Sequence, residues 1–208
     1  MSLLYNPTED LRISELSFIK KYGLEVSECE KVGYFPLSII PDAYNPIFYN
    51  LKDIGNEYSE RLQQWRVKYE LLPKPISQIQ QTLKEQLSKH RYRKETDGLL
   101  TNGGIVRTDR ESQSSLASAK TLSDLIPDNT IDWKTADGWT SIDRSTIMEL
   151  SKLVGLHVQT CFSLERQFSE LIDASESIED LLIIYQDMYE NWPVTANINK
   201  PKSVFDMM

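Results

Sequence analysis

"TNGGIVRTDRESQSSLASAK", residues 101–120, decides the fold. As a phosphate-holding loop it would belong to an enzyme; as a tight turn feeding a capped helix it belongs to a helix-rich chain. A phosphate loop needs more glycines and a Lys-Ser or Lys-Thr pair at the strand-to-helix turn, and the stretch has no such pair. "GLL" before Asn102-Gly103 and "IVR" after it predict a short hairpin, because Asn-Gly supplies the positive backbone angles of a primed turn. Thr108 and Glu111 have the T-x-x-E spacing of a capping box, which predicts a helix through Leu116 and Ala119 to about Ile126. Generic helix-end chemistry leaves room for anion capture at its start.

The same pattern recurs downstream. "TIDWK", a turn at "ADG" and "WTSID" predict a second hairpin, followed by a helix capped by Asp143 or Ser145 that reaches about Asp173. Along it Ile147, Val154, Cys161 and Phe168 recur every seven residues, interleaved with Leu150, His157, Leu164 and Leu171. This is an a/d seam, which packs either against an identical helix of another copy or against helices of its own chain. Leu153, Val158 and Ile172 widen the apolar face and favour a helical core. A last helix, from about Ser177 through Leu181, Leu182, Tyr185 and Met188, is expected antiparallel to the long one. The tail has no period but ends in the apolar residues Val204, Phe205, Met207 and Met208, and reads as a docking arm.

Upstream, Ile76, Ile79, Leu83 and Leu87 sit at helical spacing after Pro75, which suits the first turn of a helix running to about Lys94. In "RLQQWRVKYELL" the residues Trp65, Val67, Tyr69 and Leu71 alternate with polar ones. That period of two predicts a strand, paired with "IFYNLKDI" across "GNEYSE". Three prolines in "GYFPLSIIPDAYNP", residues 33–46, predict an extended, surface-hugging arm. "SELSFIKKY" reads as a short helix closed by Gly23.

These elements make an α+β fold: an N-terminal β-hairpin region with extended arms, then a mainly helical part with two short hairpins and a long heptad-patterned helix. The expected divisions are residues 1–74, 75–193 and 194–208. With 208 residues the chain can bury roughly 70% of its unfolded surface. The formal charge of −8 opposes general binding to nucleic-acid backbones. The one basic run, "KHRYRK" from Lys89 to Lys94, reads as the solvated, dipole-complementing end of a helix. Cys29 and Cys161 are too few and too far apart for a disulfide framework or a zinc site, and point to a reducing compartment. No apolar run approaches the roughly 20 residues that span a bilayer, so a soluble product without membrane insertion is expected.

Chemistry is sparse. His90 lies in the basic run and His157 on the seam, where a hydrogen-bonded core histidine is the simpler reading than a metal ligand. Ser112, Ser114 and Ser115 lie on an ordinary helix rather than a nucleophile elbow. Asp128, Asp132 and Asp137 lack the spacing of a calcium loop. Trp133 and Trp139 would suit either a partner or sugar-stacking platform or the covering of a helical core. The residues nominate no catalytic, cofactor or metal site.

"RYRKETDGLLTNGGIVRTDRESQSSLASA" and "IDWKTADGWTSIDRSTIMELSKLVGLHVQTCFSLERQFSELIDA" together resemble a domain of tailed bacteriophages and prophages, found in tail fibre, baseplate and fibre-assembly proteins. Its members carry an R-x-x-E-x-G start, an Asn-Gly turn, a "TDRESQ"-like cap, a "W-K-x-x-D/N-G-W" hairpin and an "H-V-Q-x-C-F" helix. The resemblance spans residues 91–193, about half of the chain. Asp97, where a glycine is common, and the tail after Pro193 depart from it. More weakly, "YFPL", "YNP" and "QQWRVKYELLP" resemble the irregular part preceding that domain in fibre-associated proteins. The resemblance implies a tail structural protein without catalytic residues or cofactors, partnered by fibre, baseplate or tail hub proteins and self-associating in the particle. Strand edges of the front hairpin and the apolar tail would do the docking. A fibre-assembly chaperone and a host glycan-binding module are the alternatives.

Overall fold

The computed structural model describes residues 2–101, 104–126, 129–135 and 138–192. The chain divides into two compact units, residues 1–75 and 76–208. The first is built on strands and the second mainly on helices.

In the first unit, β1 (Leu3–Asn6), β2 (Leu11–Ser14), β3 (Phe35–Ser38), β4 (Tyr49–Ser59) and β5 (Gln64–Pro73) form one sheet in the order β2-β1-β3-β5-β4. All pairs are antiparallel except β3 with β5. The prolines around 33–46 do produce extended backbone, but Phe35–Ser38 runs through the middle of the sheet. Strand alternation gives β1 two buried faces. Tyr5 packs with Leu37 and Val67, flanked by Trp65 and Tyr69, so three of the four alternating residues of β5 line this core, while Leu71, expected with them, is exposed. On the other face Leu4 joins Phe18, Cys29 and Tyr34. That side is covered by α1 (Glu15–Tyr22) and a 3-10 helix (Val26–Val32). Gly23 closes α1 at φ 65°, donating its N–H to the Ile19 carbonyl at 2.8 Å.

One strand boundary differs from the sequence reading. Gly55, expected in the turn, lies inside β4 at φ 124°, where the pairing register shifts between Asp53 and Asn56. It marks a bulge, and the connection to β5 falls at residues 60–63 instead. The bulge has a structural use. Although β2 and β4 are the two edges of the sheet, Arg12 of β2 donates to Asn56 Oδ1 and the Gly55 carbonyl, both at 2.8 Å, and forks onto Asp53. The sheet curls until its edges meet through side chains, which leaves much of β4 with an unpaired edge.

The second unit contains α2 (Ile76–Thr96), a hairpin of β6 (Leu99–Thr101) and β7 (Gly104–Val106), and α3 (Arg110–Leu125). A second hairpin of β8 (Ile131–Thr135) and β9 (Gly138–Ile142), then α4 (Arg144–Ala174) and α5 (Ile178–Glu190), complete it. The Asn102-Gly103 turn, Asp128, Asp137 and the docking tail with Val204, Phe205, Met207 and Met208 lie outside the described residues.

In this second unit three helix starts are set by side-chain caps. Asp109 accepts from Ser112 N at 3.0 Å, Asp143 from Thr146 N at 2.8 Å and Ser177 from Asp180 N at 3.1 Å. The first of these corrects the T-x-x-E reading. Thr108 is fully buried, and its hydroxyl accepts from Gly98 N at 3.0 Å, so the neighbouring aspartate caps α3 in its place.

α2 and α4 pack antiparallel. Gln80 near the start of α2 donates to the Ile172 and Ser175 carbonyls at the end of α4, at 2.9 and 3.1 Å. Ile79, Leu83 and Leu87 of α2 are buried, as their spacing predicted. On α4, Ile147, Val154, His157 and Cys161 are buried and Leu150, Leu164 and Phe168 half-buried, but Leu171 is 53% exposed while Ile172 is fully buried. A straight helix turns every 3.6 residues, so over seven turns its buried stripe drifts off a 3.5-residue seam by about one position. α4 therefore packs as a globular helix against α2, α3 and α5 of its own chain.

Candidate functional site

The chemically densest place in the helical unit forms where α2 ends. Arg91 and Glu95 are four residues apart on one helix face, the spacing at which side chains meet, and they form an ion pair. Glu95 is fully buried, which for a lone carboxylate would be costly. Its oxygens are shared with two side chains of α3: Arg110 NH2 lies 3.0 Å from one, and Gln113 Nε2 donates at 3.3 Å. Gln113 also donates to the Thr108 carbonyl at 2.6 Å. Arg91 in turn donates from Nε to Glu165 of α4 at 2.9 Å and stacks over the Phe162 ring at 4.4 Å. His157 Nε2 lies 3.1 Å from the Lys94 carbonyl. Thus "RYRKETDG" and "TDRESQ", separate in sequence, converge on one carboxylate, and "HVQTCF" packs against the end of α2 that carries it.

The basic run is only partly a solvated helix end. Lys89 and Arg93 are exposed, whereas Arg91 is turned into the ion-pair network and His90 is buried. The reason is helical geometry: positions 83, 87, 90 and 91 continue the face that α2 buries. The edges of Tyr189 and Trp192 meet His90, with ring centroids at 4.8 and 4.9 Å. Burial, with Lys94 and Arg93 adding to it, pushes the imidazole down to about 4.

Chemically, the centre is self-saturated. The Cys161 thiol is pushed up to about 11, first by burial and then by the Glu95 charge, the reverse of the depressed value that makes a thiolate nucleophile. Asp109 is held down at about 2 by the Ser112 backbone N–H and hydroxyl, so a fixed carboxylate fills the N-terminus of α3 where an anion would sit. Among the described residues no group of three His, Cys, Asp or Glu side chains is placed to hold a metal ion.

The two tryptophans do not form one platform. Trp133 pairs with Thr140 and Trp139 with Lys134, so the rings lie on opposite faces of the β8–β9 hairpin. Trp133 packs on the core of Leu116, Ala119, Ile142, Ile147 and Val154. Trp139 is 74% exposed, with Lys134 Nζ 5.8 Å from its ring centre. Asp132 is exposed and accepts from Ser141 Oγ at 2.8 Å.

Sequence reasoning placed His157 and Cys161 inside but passed over Glu95. The available signal was a glutamate four residues after Arg91 in an otherwise cationic run. Gly98 was also passed over. It adopts φ 98°, and a Cβ there would sit 2.8 Å from Ile105 Cγ2 and 3.3 Å from the Val106 carbonyl. Gly98→Ala is therefore expected to cost about 1–3 kcal/mol through backbone strain alone, checked by urea denaturation.

The profile of the domain of unknown function DUF4376 matches residues 78–186, just over half of the chain. The chain belongs to the DUF4376 family. No curated protein and no solved structure matches it. Among the described residues, no helix is long and apolar enough to cross a membrane.

Proposed function

We propose that this DUF4376 protein is a non-enzymatic structural component of a bacteriophage tail, an adaptor or accessory unit of a fibre or baseplate that acts by protein–protein assembly. The observation that carries the non-enzymatic part is the Glu95 centre. The polar side chains that the tail-domain resemblance singles out bind one another across α2, α3 and α4, and the thiol and imidazoles beside them are buried. Such residues hold a shape for a partner. The tail assignment itself rests on the resemblance of residues 91–193 to a domain of phage tail proteins. The open edge of β4 supports partner recognition by strand addition, and self-association within the particle belongs to the same reading.

Mass spectrometry of purified particles tests this. Presence at fixed stoichiometry supports the structural role; presence in infected cells but absence from particles favours the assembly chaperone. Deleting residues 194–208 is expected to impair incorporation while the helical circular-dichroism signal of the remaining chain is retained. Normal incorporation of that truncation would contradict docking through the tail.

A further inference from the structure

His90 is a buried titratable group that neither the Glu95 centre nor the proposed assembly role uses. It is 4% exposed, and its Nε2 has no hydrogen-bond partner among the described residues. Nδ1 lies 3.4 Å from Arg93 NH2, so the one polar neighbour in reach is a cation's donor. The ring is enclosed by Tyr189 of α5 and by Trp192, which is itself stacked on Phe168 of α4 at 5.9 Å. Leu181 is the other anchor of α5 near its start, and Met188 lies beside the His90 contacts near its end. The C-terminal half of α5 is thus held by apolar and ring contacts gathered around one imidazole.

We propose that His90 is an acid-sensitive latch: protonating its ring undocks the C-terminal half of α5, together with Trp192, from α2 and α4 while the core around Ile147 stays folded. A charged imidazole here would have to be desolvated without an acceptor. On its own helix Arg93 and Lys94 repel it and Asp97 alone attracts it. From α5 it meets the ring of Tyr189, and the Trp192 ring that also meets it is backed from α4 by the apolar ring of Phe168. Because the docked state holds His90 below its ordinary value of about 6.5, the open state binds more protons as pH falls between those two values, and docking weakens. Below the docked value both states are protonated and the dependence ends. The opening equilibrium should rise about tenfold per pH unit across the middle of this window.

Hydrogen exchange of the full chain, corrected for the intrinsic pH dependence of exchange, tests the latch. Between pH 6.5 and 4.5 protection in Ile178–Glu190 is expected to fall by about fortyfold in all, steepest in the middle of the range, while residues 147–161 hold theirs. In His90→Phe the α5 protection should be flat over that range. Arg93→Gln, at an exposed position, should shrink the total loss, because removing the cation brings the docked and open values closer. Loss of α5 protection only in step with residues 147–161, an unchanged pH profile in His90→Phe, or an unchanged one in Arg93→Gln would each overturn the proposal.

Discussion

Glu95→Ala is expected to destabilise the helical unit by about 3–5 kcal/mol, the range for removing one side of a buried ion pair. The carboxylate is the common acceptor of Arg91, Arg110 and Gln113. Arg91 has little exposed surface of its own and, among the described residues, would keep Glu165 as its one carboxylate partner beside the Phe162 ring. Arg110 would lose less, since about half of its side chain is in solvent. Glu95→Gln keeps the shape and one acceptor oxygen but not the charge, and should cost roughly half as much. Urea denaturation followed by circular dichroism measures both. A loss below about 1 kcal/mol for the alanine variant would put the carboxylate outside the framework of the unit.

Phe18→Ala is expected to cost the N-terminal unit a similar 3–5 kcal/mol. The ring is fully buried and touches Tyr22 and Tyr34 at centroid distances of 5.1 and 5.6 Å, in a cluster that also contains Leu4 and Cys29. It pins α1 onto β1, and its loss leaves a cavity that β1, the 3-10 helix and Tyr34 would have to collapse into. Each unit contains one buried free cysteine, which gives a reporter for each. At about 1.4 kcal/mol per tenfold change, Phe18→Ala should speed thiol labelling of Cys29 by about two to three and a half orders of magnitude, what its stability loss converts to. Cys161 labelling should be unchanged. Equal acceleration at both cysteines would mean that the two units unfold together.

Local signals in the sequence carried most of the helical unit. Asp143, one of two cap candidates, starts α4, the last helix begins at about Ser177 as expected, Ile79, Leu83 and Leu87 face inward, and the alternation at Trp65, Val67 and Tyr69 marks the strand core of the first unit. What escaped depends on distant partners. Nothing near Phe35 says that it pairs with β1 on one side while its strand lies parallel to β5 on the other. Thr108 was a good cap by residue type, but the amide of Gly98, ten positions away, claims its hydroxyl. Leu171 and Ile172 both fit an apolar stripe, and the choice between them rests on helix pitch rather than composition. The Glu95 centre was half-visible: its motifs were recognised one by one, while their meeting point needed the antiparallel packing of α2 on α4.

The centre's interlocking is tested most directly by a double-mutant cycle on Arg91 and Glu95, using Arg91→Met, Glu95→Leu and the pair together. If these side chains form a framework, each single change strands a buried charge and is costly, while the pair packs as an apolar replacement. The account predicts a coupling of about 1.5–3 kcal/mol, with the double variant less destabilised than the sum of the singles. Additive effects within about 0.5 kcal/mol would contradict it.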